Sequence, residues 1–382
     1  MARRDASPLA VLSAAALALP AFGASQPTER TLAVSTAVYQ EDDLKRSNLV
    51  FGDVERYKVK TNQFYINAPI GRNWSGSLSY DNESMSGASP WGTSESADGQ
   101  SDVIMSGASI DDSRNGLDAS MTRYFDQSSV SVSLGYSGEH DYHSRSIGLS
   151  YERDFFNRNT TLGLSASYST DEITPTDAAL FGRVLYGEKR SRSFYASLTQ
   201  LMSPVAVLNV GVGLTSRRGF LSDPYKLRDI RPDSRLEKTI TASYRHYLDW
   251  KQTSLRLDYR YFWDSFDVRS QTVSGSFMQS LSSGISWGPT LRYYAQSEAS
   301  FYQSFDQYAL PVTQAQSSDF RLSSYGAWSY GVKARYQLGA AEFSGAIERY
   351  ESDKGLGLNE PVAGHPALVR FGVVSLGLEF KF

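Results

Sequence analysis

From Leu32 to the last residue the chain alternates apolar and polar positions with a period of two, interrupted at intervals by polar or glycine-containing stretches. Such alternation places one set of side chains on each face of a β-strand. The first segments are Leu32, Val34, Thr36 and Val38, then Tyr57 to Ile66 with ambiguous parity, then Trp74, Gly76, Leu78 and Tyr80, then Leu117, Ala119 and Met121. The clearest runs set Val130, Val132, Leu134 and Tyr136, then Ile147, Leu149 and Tyr151, then Leu162, Leu164, Ala166 and Tyr168 against serine and glycine. Further segments cover Phe194–Leu201, Ala206–Leu214, Leu236–Tyr247, Leu255–Trp263, Val268–Leu281, Ile285–Tyr293, Trp328–Leu338 and Phe343–Ile347. The last strand alternates Val374, Leu376, Leu378, Phe380 and Phe382 with Ser375, Gly377, Glu379 and Lys381. Together the segments predict an all-β chain of about 16 strands.

The connections sort into two classes. Taking the first strand as running outward, every even-to-odd connection is short: 69–73, 125–127, 154–159, 202–204, 248–252, 282–283 and 339–340. The other set holds all the long ones, at 41–53, 85–113, 172–188, 216–234, 295–322 and 352–367, with two short tips at 139–142 and 264–266. Short turns at one end and long loops at the other characterise a transmembrane antiparallel up-and-down β-barrel, whereas a sandwich or propeller has no reason for the asymmetry. A polar face of serine and glycine suits a wide barrel interior better than a soluble surface, where Lys and Glu are expected.

Composition agrees with this reading. Mean hydropathy is −0.37, too polar for a helical membrane protein, yet the chain carries 24 Tyr and 19 Phe, as two interfacial girdles would require. Arg3 and Arg4 precede an apolar run from Leu9 to Leu19, followed by Pro20 and small residues up to Ser25. This is the layout of a secretory signal peptide over 1–25, leaving a barrel over 26–382 in the bacterial outer membrane. There is no cysteine, which removes disulfides, thiolate metal sites, cysteine nucleophiles and thioether-linked haem. A net charge of −3 and a pI near 5.9 give no basic excess for nucleic acid.

Parity assigns the candidate lumen residues. If the apolar set of Leu255–Trp263 faces lipid, then Arg256, Asp258 and Arg260 face inward, and the same reasoning adds Arg245, Arg292, Tyr294, Lys333, Arg335, Glu342, Glu348 and Glu379. Such charges either tune a pore or pair into structural ladders across strands. Tyr136, Tyr151, Tyr168, Trp74, Tyr259, Trp263, Trp287, Trp328 and Tyr336 fall on outward parities as girdle residues, and only Tyr294 and Phe262 fit the inward face. Ser86, Gly87, Ala88, Ser89, Pro90 and Trp91 allow close backbone packing, so they form either an inward-folded constriction anchored by Trp91 or a surface loop. The stretch 295–322, with Phe301, Tyr302, Phe305 and Tyr308, is too aromatic to stand free and is expected to pack in the mouth or receive a partner. His140-Asp141-Tyr142-His143 lies at a short tip without a third defined metal ligand, so no metal site and no cofactor is expected. A lipid hydrolase would need His143 or His246 paired with a serine, and no nucleophile motif is present.

The blocks D-N-E-S-M-S-G-A-S-P at 81–90, Y-R-H-Y-L from Tyr244, L-D-Y-R-Y-F-W-D and L-R-Y-Y-A-Q-S-E-A-S-F-Y ending at Tyr302 resemble a family of proteobacterial outer-membrane β-barrels known only as a domain of unknown function. The resemblance spans nearly all the mature chain. It implies an outer-membrane barrel without established activity, and a periplasmic redox or flavin-linked protein as a partner. In that family a terminal Phe after alternating apolar residues resembles the signal read by the barrel-assembly machinery, which here would be Val374, Leu376, Leu378, Phe380 and Phe382. The expectation is therefore a non-enzymatic pore or conduit for a small solute, embedded in outer-membrane lipid. The alternatives are a scaffold for the redox partner and a lipid-modifying enzyme.

Overall fold

The computed structural model describes residues 25–97, 99–106, 110–249, 252–282, 284–359 and 364–382. The expected leader lies outside them except for Ser25. Sixteen strands form one closed antiparallel barrel. They are β1 (Thr31–Glu41), β2 (Lys58–Ile70), β3 (Trp74–Gly87), β4 (Ile110–Tyr124), β5 (Ser128–Gly138), β6 (Tyr142–Phe155), β7 (Thr160–Ile173) and β8 (Gly187–Ser203). The second half comprises β9 (Ala206–Gly219), β10 (Ser234–Leu248), β11 (Thr253–Asp264), β12 (Arg269–Ser282), β13 (Ile285–Gln296), β14 (Tyr325–Leu338), β15 (Ala341–Asp353) and β16 (Arg370–Lys381). Each strand pairs with its sequence neighbours, and β16 closes on β1 in a register from Thr31↔Lys381 to Glu41↔Phe371. Phe382 and Arg30 extend that ladder with reciprocal N–H···O bonds of 3.0 and 2.9 Å. Closure leaves no unpaired edge, which a sheet in lipid requires.

The two faces separate as the alternation predicts. Leu134, Leu149, Phe194, Ile347 and Leu376 stand exposed on the outside; all nine expected girdle aromatics share that parity, seven of them exposed and Tyr151 and Trp263 half-buried. The expectation that only Tyr294 and Phe262 turn inward is corrected, because Tyr39, Tyr65, Tyr195, Tyr350 and Phe371 share the inward parity. The reason is local. At the loop end the inner face packs against protein rather than water, so both faces become apolar and the alternation fades, as in Phe371-Gly372-Val373-Val374. There Ala37, Tyr39, Val59, Met85, Ala327, Tyr350, Phe371 and Val373 form a buried cluster inside the wall.

Among the described residues, one end carries only the short connections that join β2–β3, β4–β5, β6–β7, β8–β9, β10–β11, β12–β13 and β14–β15. The other carries the loops 42–57, 88–109, 139–141, 174–186, 220–233, 265–268, 297–324 and 354–369. These loops knit into a roof. Strands Leu49–Phe51, Ser101–Met105 and Pro90–Glu95 make a small sheet, and Asp229–Ile230 pairs with Gln316–Ser317. Two further apolar clusters lie beneath or within it: Leu44, Ala88, Val103, Met105 and Ala367, and Leu221, Phe266, Val268, Ala299, Phe301 and Leu322.

A candidate lumen site beneath a roofed mouth

The block Ser86–Trp91 is where the roof leaves the wall. Ser86 and Gly87 end β3, Ala88 and Ser89 are buried, and Pro90 opens the small-sheet strand. Gly87 has φ +115°, and a Cβ there would sit 2.3 Å from the Arg56 carbonyl oxygen, so the chain can bend past 42–57 only with glycine. The Trp91 carbonyl accepts the Leu227 N–H at 2.7 Å, and Lys226 Nζ donates to the Pro90 carbonyl at 2.9 Å. The Asp306 N–H donates to the Thr93 carbonyl at 3.0 Å, which joins 297–324 to the same strand. This block is thus packed into the roof.

Charges lock the loops together. Arg231 bridges Asp229 at 2.9 Å and Asp319 at 2.8 Å, while Arg321 holds Asp319 and reaches Asp223 at 3.0 Å. Burial pushes the Asp319 carboxyl up, but Arg321, Lys226 and Arg231 outweigh it and hold the group well below the usual carboxylate range. Arg56 binds Glu41 at 2.6 Å and donates to the Ala367 carbonyl at 2.9 Å, tying 42–57 to 354–369. Asp264 organises the tip 265–268: it accepts the Phe266 and Val268 N–H groups at 2.9 and 3.0 Å and binds Arg235.

Two titratable groups meet at Ser318. The Ser318 hydroxyl donates to Asp306 Oδ1 at 2.6 Å, and Asp306 Oδ2 has no hydrogen-bond partner among the described residues. Burial pushes this carboxyl up to about 6. His365 Nε2 donates to the Ser318 carbonyl at 2.8 Å while its Nδ1 accepts the Ala367 N–H at 3.0 Å, a pairing that requires the neutral ring. Burial brings its pKa down to about 4.

Below the roof the inner wall is open. Ser133, Ser165, Ser167, Arg256, Lys333 and Arg335 all have inward parity yet are exposed, so they line a solvent-accessible lumen. Its two sides differ. Below their loop-end charges, strands β5–β9 present mainly serine and glycine with Tyr195 among them, while the inward faces of β10, β11, β13 and β14 present Arg245, Arg256, Asp258, Arg260, Arg292, Tyr294, Lys333 and Arg335. Glu342 and Glu348 on β15 and Glu379 on β16 share the inward parity. Some of these charges are paired: Arg256 with Asp258 at 2.8 Å, Arg335 with Glu342 at 3.7 Å, and Glu379 with Lys381 at 2.9 Å. Arg260 and Arg292 have no carboxylate partner among the described residues. Each lies over an aromatic ring of its own strand, Phe262 at 5.2 Å and Tyr294 at 5.8 Å. In register, Arg260 stands across from Thr272 and Tyr294, and Arg292 across from Ser274 and Asp258, so the two guanidinium groups flank one patch of wall.

Parity reasoning overlooked a belt of paired charges under the roof. Arg114 binds Asp81 at 2.6 Å and Glu83 at 3.0 Å, Lys189 binds Asp171 at 2.5 Å, and Arg217 binds Glu237 at 2.9 Å. The signal was available, since each pair shares an inward parity near a loop-end strand terminus. At the tip 139–141, Asp141 is buried and accepts the Tyr225 hydroxyl, whose pKa burial and that carboxylate raise. Phe301 is buried in the roof as expected of its stretch, whereas Tyr308 stays 65 % exposed. His143 Nδ1 lies 3.3 Å from the Tyr136 hydroxyl and His246 Nδ1 lies 2.8 Å from that of Tyr244, and neither is hydrogen-bonded to a serine among the described residues. Ser144 turns to the opposite face and donates to Asp171 at 2.8 Å, so the Ser–His pair that a lipid hydrolase needs is not formed there.

A closed up-and-down barrel of 16 strands with turns at one end and loops at the other is a transmembrane β-barrel of the outer-membrane type. The chain belongs to the family described as "Protein of unknown function (DUF3570)", whose model matches residues 9–364. No curated protein matches the sequence. Among solved structures it is similar to a bacterial polysaccharide outer membrane secretin (TM-score 0.52, 10% identity, covering 94% of this chain and 100% of that one). It is also similar to CdiB from Acinetobacter baumannii (TM-score 0.54, 9% identity, 94% of this chain), of which it spans 61%. At these identities the likeness is one of fold.

Proposed function

We propose that the protein is a conduit for a small anionic solute across the bacterial outer membrane, open on the turn side and closed by its roof on the loop side. The observation that carries this reading is the pair Arg260 and Arg292, lumen-wall cations without a carboxylate in ion-pair distance among the described residues, in a wall where Arg256 and Arg335 are paired. A desolvated or focused positive patch raises the local concentration of anions and lowers that of cations. The small serine and glycine side chains of the neighbouring sector β5–β9 leave room for a solute to pass that patch. The turn side faces the periplasm, where a partner protein would have access to the open lumen.

Planar-bilayer recording tests the reading. The purified barrel should give brief conductance steps, with a reversal potential under a salt gradient that reports anion preference. Arg260→Glu with Arg292→Glu should shift that potential towards cations. No conductance from either the intact chain or one lacking the 90–105 hairpin would overturn the proposal.

A further inference from the structure

The outer face of β6–β9 carries a second cationic site. Arg145 on β6 lies across from Thr170 on β7, Thr170 across from Arg190 on β8, and Arg190 across from Arg218 on β9. All four share the outward parity, so one register row displays three arginines, with Arg192 one outward position nearer the turns. These arginines are exposed. Arg190 pairs with Glu188 at 2.6 Å, but Arg145, Arg192 and Arg218 have no carboxylate within ion-pair distance among the described residues. Glu172, Glu188 and His143 lie one outward position further towards the loops.

Immediately turnward on the same strands the wall is concave. A depression of about 470 Å³ is lined by outward side chains including Leu149, Leu164, Ala166, Phe194, Ala196 and Val212. Ala166 and Ala196 supply the hollow, because their bulkier neighbours project past them. An apolar trough capped by a row of cations has the two-part shape of a phosphorylated acyl lipid.

The height fits as well. From Met202, exposed at the turn end, to Arg192 is ten residues. At about 3.3 Å per residue and a tilt of about 40°, that rise is about 25 Å, the height of the apolar band. The arginines therefore begin where headgroups begin, and charge is tolerated at that level but not deeper. On the other side of the barrel Arg349 is satisfied internally by Asp42, at 2.7 Å.

We infer that this face binds a bisphosphorylated glycolipid of the lipopolysaccharide class, the arginine row taking its phosphates and the trough its acyl chains. The inference rests on the outer-membrane placement proposed above. Three strand spacings of about 4.8 Å separate Arg145 from Arg218, about 14 Å in all. That width suits two phosphates held apart on a sugar backbone better than the one phosphate of a glycerophospholipid. Arginine grips each phosphate through paired N–H donors.

The test uses the full chain folded in zwitterionic detergent, with native mass spectrometry against bisphosphorylated lipid A, dephosphorylated lipid A and phosphatidylglycerol. Bisphosphorylated lipid A should bind with at least about tenfold preference. R145A/R190A/R218A should lose that preference, while K58A/K60A, which removes exposed cations of a single strand, should keep it. Equal binding of the three lipids, or wild-type binding by the triple variant, would overturn the inference. Heat-modifiable gel migration reports whether the triple variant is folded, and the lipid panel on the wild type decides the question if it is not. Conductance recorded on the same samples separates the two proposals: a barrel that conducts without lipid preference sinks only this one, and a silent barrel that binds lipid A sinks only the conduit.

Discussion

The turn half and the loop half of the barrel are built from the same 16 strands and solve opposite problems. In the turn half the inner wall meets water: Ser133, Ser165, Arg256, Lys333 and Arg335 stand exposed, and the charges there are few and weakly engaged. In the loop half the same wall meets protein, with Tyr39, Val59, Tyr350 and Phe371 buried against one another and Arg231, Arg321, Asp229 and Asp319 ion-paired in the roof above. The difference teaches that the loops are held by interlocking with each other, while the wall below them stays polar and exposed. On the conduit reading proposed above, opening would break loop-to-loop contacts and leave the strand ladder intact.

The largest effect should follow from removing the part of the roof that touches most other loops. Replacing Pro90–Met105 with a short glycine–serine link should raise mean conductance at least tenfold, on the order of 1.4 kcal/mol or more in the closed–open balance, with folding retained. Unchanged conductance would show that the wall, and not the roof, closes the tube. Asp319→Ala strips the shared carboxylate from Arg231 and Arg321 and leaves each with one remaining partner, Asp229 and Asp223, a loss on the order of 1–3 kcal/mol. Hydrogen exchange should rise sharply in 220–233 and 297–324 while β5–β9 stay protected.

The pH response should expose the two groups at Ser318. Asp306 is raised from 3.8 to about 6, so closure is favoured in acid and that contribution is lost as pH rises through 6. His365 is lowered from 6.5 to about 4, so its contribution is present above 6.5 and is lost as pH falls through 4. Each is worth roughly 3 kcal/mol and the signs oppose, so the wild-type roof should change little between pH 4 and 6.5. Asp306→Asn should leave a roof that loosens in acid, and His365→Gln one that tightens, read by loop exchange at both pH values. Parallel flat profiles for both variants would remove these groups from the closure. The smallest effect belongs to the turn end: deleting Phe382 should lower the yield of assembled barrel several-fold, about 1 kcal/mol, and leave the conductance of assembled molecules unchanged. An unaltered yield would leave Phe382 with wall closure alone, through its N–H bond to Arg30.

The strands were legible because each must show one face to lipid, and a single apolar side chain every second residue is enough to reveal it. Leu376, Leu378 and Phe380 announce β16 in this way, and the contrast of short turns with long loops announces direction. The inward placement of Arg260 and Arg292 followed from the same parity. Whether they are paired did not, because a partner can come from either neighbouring strand and only the register between β11, β12 and β13 shows which residues meet. The arginine row of β6–β9 was hidden for the same reason, since Arg145, Arg190 and Arg218 are remote in sequence and become one surface only when three registers align.

The sequence by itself thus determined the barrel, its strand number and its two ends, since these depend on local alternation repeated along the chain. Tertiary structure alone decided the roof. Gly87 next to Arg56, Trp91 next to Leu227, and His365 and Asp306 on Ser318 join residues from different loops, whose polar sequences carry no period. A strand advertises its environment residue by residue, whereas an irregular loop acquires its environment only from the other loops it meets.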